Sequence, residues 1–169
     1  MKIMKTKVFI ITLVLFGLTF SSCKKYEEGP ILSLKSKNSR LTGEWKLVSY
    51  TSEYISIDGI TVSSFDGTTM VTSNNSYLYD LTLTIDKDGT LIKSVTKNGT
   101  TNVEKSYWSW LDGTSGKEQL LLDDLYTIKK LTNKELILEY FYSSEAYADS
   151  NSTPTFFDSH HQTWTYEKQ

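Results

Sequence analysis

Cysteine is almost missing from this chain: Cys23 is the only one in 169 residues. A single thiol closes no intramolecular disulfide, so stability has to come from packing and sheet hydrogen bonds. Proline is nearly as scarce, with only Pro30 and Pro154 interrupting the backbone. Histidine occurs just twice, side by side at His160 and His161. With no cysteine partner, HExxH stretch or His-x-His pattern, no three- or four-ligand metal set is written, and the pair reads as part of a surface loop. No serine lies in a Gly-x-Ser-x-Gly elbow and no glycine-rich loop opens a helix, so nucleophilic and phosphate chemistry lack a residue to rest on. Asp86, Asp88 and Gly89 echo the start of a calcium loop without its distal glutamate, which leaves a hairpin turn. Asp123 and Asp124 would point to opposite faces of a strand unless a turn intervenes, so they form no glycosidase pair. The expectation is a protein that is not an enzyme and holds no cofactor or metal.

Cation clusters are absent from residues 41–169, and with them the electrostatic footprint of a nucleic-acid binder. One long apolar run exists, at residues 8–20, behind Lys2, Lys5 and Lys7. It is too short to cross about 30 Å of hydrocarbon as a helix, and basic residues followed by a short apolar stretch have the form of an export signal. Leu18, Thr19, Phe20, Ser21, Ser22 and Cys23 end that run and resemble the lipobox of bacterial lipoproteins, with Phe20 where leucine is more usual. The resemblance implies cleavage after Ser22 and acylation at Cys23, a lipid attachment site. Removing 22 residues leaves 15 basic against 20 acidic side chains, a mildly acidic chain of one-domain length. Residues 23–40 read as a lipid-anchored tether, polar at first, with three cations, Lys35, Lys37 and Arg40, near its end. Those cations would either be solvated or meet anionic headgroups.

What is plentiful is aromatic and β-prone: 11 Tyr, 7 Phe and 4 Trp in a chain rich in threonine and serine. Such residues suit a pleated, half-buried surface. From Leu41 onward strand signals recur at short spacing. Tyr79, Leu81, Leu83 and Ile85 alternate with Asp80, Thr82, Thr84 and Asp86, a period of two. Asp88-Gly89 and Asn98-Gly99 are dipeptides that tolerate the positive φ of tight hairpins. Further strands are expected at 118–123, 126–131, 134–142 and 162–166, about eight in a meander with no amphipathic helix of ten residues or more. Such a sheet hides its edges by closing into an up-and-down antiparallel β-barrel, or by folding into a two-sheet sandwich.

Leu41, Thr42, Gly43, Glu44, Trp45 and Lys46 set a Gly-x-Trp pairing at the start of the first strand. With the strand, Asp-Lys-Asp-Gly turn and strand of residues 83–90, the segment 126–138, and the leader, the chain resembles the lipocalin-like lipoproteins of Bacteroidota. That resemblance implies an all-β, lipocalin-like barrel over residues 41–169, after a signal peptide at 1–22 and the tether at 23–40. It also implies a cup for small apolar molecules, Trp45 plugging the closed end, and a lid over the open end, the place taken here by the long stretch 58–77. A second long connection, 143–161, would flank the same mouth or lie elsewhere.

Candidate barrel-lining residues are Trp45, Trp108, Trp110 and Tyr140, each readable as core packing or as ligand platform. Trp108 and Trp110 share one face of a strand, and Tyr140 shares a face with Leu136, Leu138 and Tyr142. Two partner classes follow besides the membrane reached through the anchor: a small apolar or amphipathic ligand, or another envelope protein contacted by a filled barrel through its loops. Lys24 after the cysteine favours passage to the outer membrane, and either face of it stays open.

Overall fold

The computed structural model describes residues 35–56, 59–112, 118–146 and 156–169. One short helix, α1 (Lys37–Leu41), precedes eleven strands: β1 (Gly43–Ser56), β2 (Gly59–Phe65), β3 (Thr69–Thr72), β4 (Asn75–Ile85), β5 (Thr90–Lys97), β6 (Thr100–Tyr107), β7 (Ser109–Asp112), β8 (Glu118–Leu121), β9 (Leu125–Leu131), β10 (Glu135–Ala146) and β11 (Phe156–Lys168). All ladders are antiparallel and form one sheet in the order β6-β5-β4-β3-β2-β1-β11-β10-β9-β8-β7, with β1 also paired to β4. The sheet curls into an antiparallel barrel, because side chains of β4 and β5 meet those of β9 and β11 around a common interior.

Turn chemistry fixes the neighbours. Asn98 (φ 49°) and Gly99 (φ 82°) make the two-residue connection between Lys97 and Thr100, both in the left-handed region that such a hairpin needs. At the preceding turn Asp88 Oδ1 accepts the Thr90 N–H at 2.9 Å, and Gly89 takes φ 91°. Between β9 and β10, Thr132 Oγ1 accepts the N–H groups of Lys134 and Glu135.

The strand count exceeds the expected eight because stretch 58–77, read above as a lid loop, carries two strands, and the single strand expected around Trp108 and Trp110 divides into β6 and β7. Gly43 to Lys46 pair directly with β4, whereas the far half of β1 pairs with β2, and β3 pairs with the start of β4. The hairpin of β2 and β3 is thus a wedge that widens one end of the barrel. Serine and threonine made it look like loop, yet Ile60, Val62 and Phe65 supply a β pattern with few apolar residues on it.

A β-bulge decides which face of β1 looks inward. Trp45 and Leu47 are buried, register shifts at Val48, and thereafter Tyr50, Ser52 and Tyr54 occupy the inner face. Strict alternation from Trp45 would have turned Ser49, Thr51 and Glu53 inward. A second shift, between Ile137 and Leu138 in the ladder to β9, lets Tyr126, Ile128 and Leu131 all be buried.

The narrow end is closed by α1. Ser36 caps the helix by accepting the Ser39 N–H, and Leu41 is fully buried. Trp45 donates its indole N–H to the Leu41 carbonyl at 2.6 Å, and Lys168 Nζ donates to the carbonyls of Arg40 (2.8 Å) and Thr42 (2.6 Å). The domain therefore begins earlier than Leu41: buried Arg40 and its helix, counted above in the tether, pack on the barrel floor. Gly43 has φ 132°, and a Cβ there would lie 2.6 Å from Lys168 Cε. That close approach is the physical reason for glycine in the Gly-x-Trp pairing.

Candidate functional site

The inner face of β11 carries Asp158, His160, Gln162, Trp164 and Tyr166 in strict alternation. Toward the narrow end, Trp164 and Tyr166 face an interior chamber of about 220 Å³. Leu81, Leu83 and Leu91 make its aliphatic wall, and Tyr126 joins the two β11 aromatics on the other. Gln162 borders it as well, and Lys93, Asp123 and Asp124 stand at its rim.

The rim lies at the seam of the barrel. Among the described residues no ladder joins β6 to β7. Side chains and one backbone bond bridge the gap: Trp108 donates its N–H to Gly89 O at 2.8 Å and its indole N–H to Asp86 O at 2.7 Å. Lys93 on β5 reaches the turn after β8 and pairs with Asp123 at 2.5 Å. Asp123 also accepts the Tyr126 hydroxyl and the Asp124 N–H. Burial alone would raise the Asp123 carboxyl, but the hydrogen bond and charge of Lys93, with the backbone and Tyr126 donors, hold it below the usual carboxylate range.

Tyrosines dominate the rest of the interior. Burial is the main cause that raises Tyr50, Tyr126 and Tyr166, and it pushes Tyr79 up to about 12 with help from Tyr77. These phenols stay protonated at neutral pH and serve as hydrogen-bonding groups rather than charges. Tyr50 packs on Trp164 with ring centroids 4.1 Å apart.

Above the chamber sits a polar belt. Gln162 Nε2 and Ser52 Oγ lie 2.9 Å and 3.0 Å from His160 Nε2. Both side chains thus meet the same ring nitrogen of His160. The Tyr54 hydroxyl donates to Asp158 Oδ2 at 2.8 Å, and the rings of Tyr54 and Tyr140 meet His160 edge-on at 5.6 and 6.0 Å. Asp158 Oδ1 and Trp164 Nε1 are buried without a hydrogen-bond partner. Among the described residues no hydrogen bond links Asp158 to His160, and no group of three or more His, Cys, Asp or Glu is placed to hold a metal.

Sequence-predicted residues fall in different places. Cys23 lies outside the described residues. Trp45 sits on the barrel floor, fully buried. Trp108 is not in a strand but in the corner between β6 and β7, edge-on to Trp110 at 5.9 Å, and Trp110 donates to Asn38 Oδ1 of α1. Tyr140 packs against Tyr126 and His160 beside the belt. None of the four borders the chamber. The sequence pattern puts both histidines in a surface loop. Instead they lie on β11, which begins at Phe156, with His160 turned inward and His161 outward onto Glu139 at 3.0 Å. Asp123 and Asp124 share the chamber rim because a bend replaces the strand at 122–124. Sequence reasoning passed over Lys93, although Lys93 shares strand parity with Leu91 and Val95 and pairs opposite Leu83, which marks it as an inward lysine.

No family model matches this chain, and no curated protein matches it. A search of solved structures matches EF1p2_mFAP2b bound to DFHBI, at 12% identity over 79% of this chain and 100% of that one, with a TM-score of 0.22. A superposition at that level carries no argument, and the barrel reading rests on the ladders described above.

Proposed function

We propose that this chain is an outer-membrane lipoprotein, acylated at Cys23, whose lipocalin-like barrel binds a small apolar or amphipathic molecule without transforming it. The observation that carries the binding reading is the chamber of about 220 Å³, walled by leucines and aromatics. Trp164 borders it, so its emission should respond to occupancy. Titration with small ring compounds is expected to change tryptophan fluorescence saturably, and Leu83→Phe, which fills the chamber, is expected to abolish the change. A response that survives in Leu83→Phe would place the ligand elsewhere. The anchor is tested separately: an alkynyl palmitate fed to cells should label the protein, and Cys23→Ser should lose both the label and the membrane fraction.

A second reading, an envelope scaffold, is favoured by the outer wall near the wide end. Ile55 and Phe141 line a groove there with Glu53, Glu139, Ser159 and His161, and Ile60 and Val62 are exposed on the neighbouring strand. Crosslinking in native membranes from Phe141 and Val62 distinguishes it, since a pure ligand carrier gives no discrete partner.

A further inference from the structure

Size, hydrogen-bonding capacity and charge together narrow the molecule that the chamber accepts. Its 220 Å³ exceeds the roughly 150 Å³ of an apolar cavity that takes up benzene and falls short of the roughly 300 Å³ at which drug-sized pockets begin. One or two rings fit, whereas a long acyl chain or a four-ring skeleton does not. Flat walls from Trp164, Tyr166 and Tyr126 suit a planar guest.

Among the described residues, the polar atom at the walls that is buried without a partner is a donor, while Asp124 and Gln162 offer acceptors on an exposed and a half-buried side chain. Lys93 gives one N–H to Asp123 and keeps two. Trp164 Nε1 is buried and has no acceptor. Asp123 is already engaged by Lys93, Tyr126 and the Asp124 N–H. A guest that meets the buried indole N–H and the Lys93 ammonium has to bring an acceptor. Two carboxylates against one ammonium leave the rim net negative, which opposes an anionic guest. A cationic guest would gain only the exposed, water-solvated carboxylates of the rim, would be repelled by Lys93 and would leave the buried indole N–H unsatisfied.

We infer that the chamber takes a compact, uncharged, planar molecule of one or two rings whose carbonyl or ring-nitrogen acceptor is bound by Lys93 at the seam. This rests on the binding reading above and adds the chemical class of the guest and the residue that selects it.

Calorimetric titration of the unacylated full chain (Cys23→Ser) with four probes on one bicyclic scaffold tests both levels: naphthalene, 2-acetonaphthone, 2-naphthoate and 2-naphthylmethylammonium. The ketone is expected to bind about tenfold or more tighter than naphthalene, the increment of one charge-assisted hydrogen bond, with the acid and the ammonium no tighter than the hydrocarbon. Lys93→Met should erase the ketone's advantage over naphthalene, both measured in that same variant, and Lys93→Arg, which keeps the donor, should retain it. Tightest binding by the acid or the ammonium overturns the inference but not the binding reading. So does a ketone advantage that persists in Lys93→Met. If none of the four binds, the chamber is not a binding site and both fall.

Discussion

Replacing Gly43 by alanine probes how the barrel floor is held. The new Cβ would lie 2.6 Å from Lys168 Cε, on a backbone with φ 132°. An L-residue forced into that region costs about 1–3 kcal/mol. The steric contact itself is with the flexible end of a side chain, which can swing away. Swinging away breaks the Lys168 bonds to the Arg40 and Thr42 carbonyls and removes the ammonium from 4.9 Å above the Trp45 ring. Lys168 is not deeply buried, and burial lowers its pKa, so the loss from those contacts is about 1 kcal/mol rather than the sum of two charged hydrogen bonds. The expected destabilisation is about 2–4 kcal/mol, or roughly 5–15 °C in Tm for a domain of this size. Urea unfolding of wild type, Gly43→Ala, Lys168→Ala and the double variant separates the two parts. In the Lys168→Ala background the glycine substitution should cost about 1 kcal/mol less. A cost below about 0.5 kcal/mol in the wild-type background would refute the backbone argument. An unchanged cost without Lys168 would refute the contact argument.

The hairpin between β5 and β6 depends on Asn98, which has φ 49° and accepts the Leu78 N–H at 3.1 Å. Asn98→Ala should lower unfolding free energy by about 1–2 kcal/mol, and Asn98→Gly by less, both read from urea midpoints. Leu136 is fully buried between β9 and β11, so Leu136→Ala should cost about 2–5 kcal/mol by calorimetry. At high pH the interior tyrosines set the response. Folded-state values are raised, to about 12 for Tyr79, so their contribution to stability is complete below the unfolded pKa near 10 and is lost as pH rises toward 12. Ultraviolet titration should show the phenols of Tyr50 and Tyr79 still protonated at about pH 10.5, and ionisation of every tyrosine below that pH would contradict the packed interior.

Much of this architecture was legible from local chemistry. Asn98-Gly99 and Asp88-Gly89 each carry backbone freedom and a side-chain acceptor in two adjacent residues, so their hairpins follow from the residues themselves. The alternation of Leu81, Leu83 and Ile85 needed only the pleat of a strand. Legibility failed where local composition and tertiary placement diverged. The β2–β3 wedge hides because pairing on both sides, rather than apolar content, makes it sheet. Trp108 and Trp110 looked like a single strand face, but the chain turns between them to cross the seam.

The sequence by itself determined an all-β meander, its tight turns, and a glycine and tryptophan at the head of the first strand, because φ preference and side-chain period act over a few residues. It also carried the basic residues, the short apolar run and Cys23, on which the expectation of a lipid anchor stands. Only the tertiary structure decided which polar groups look inward. The bulge at Val48 reverses the parity of β1 and brings Ser52 and Tyr54 beside His160 and Asp158. The curl of the sheet carries Lys93 across to Asp123, thirty residues further along the chain. A one-residue register shift and the closure of a sheet are set by the fit of whole faces against one another, which no short stretch of residues encodes.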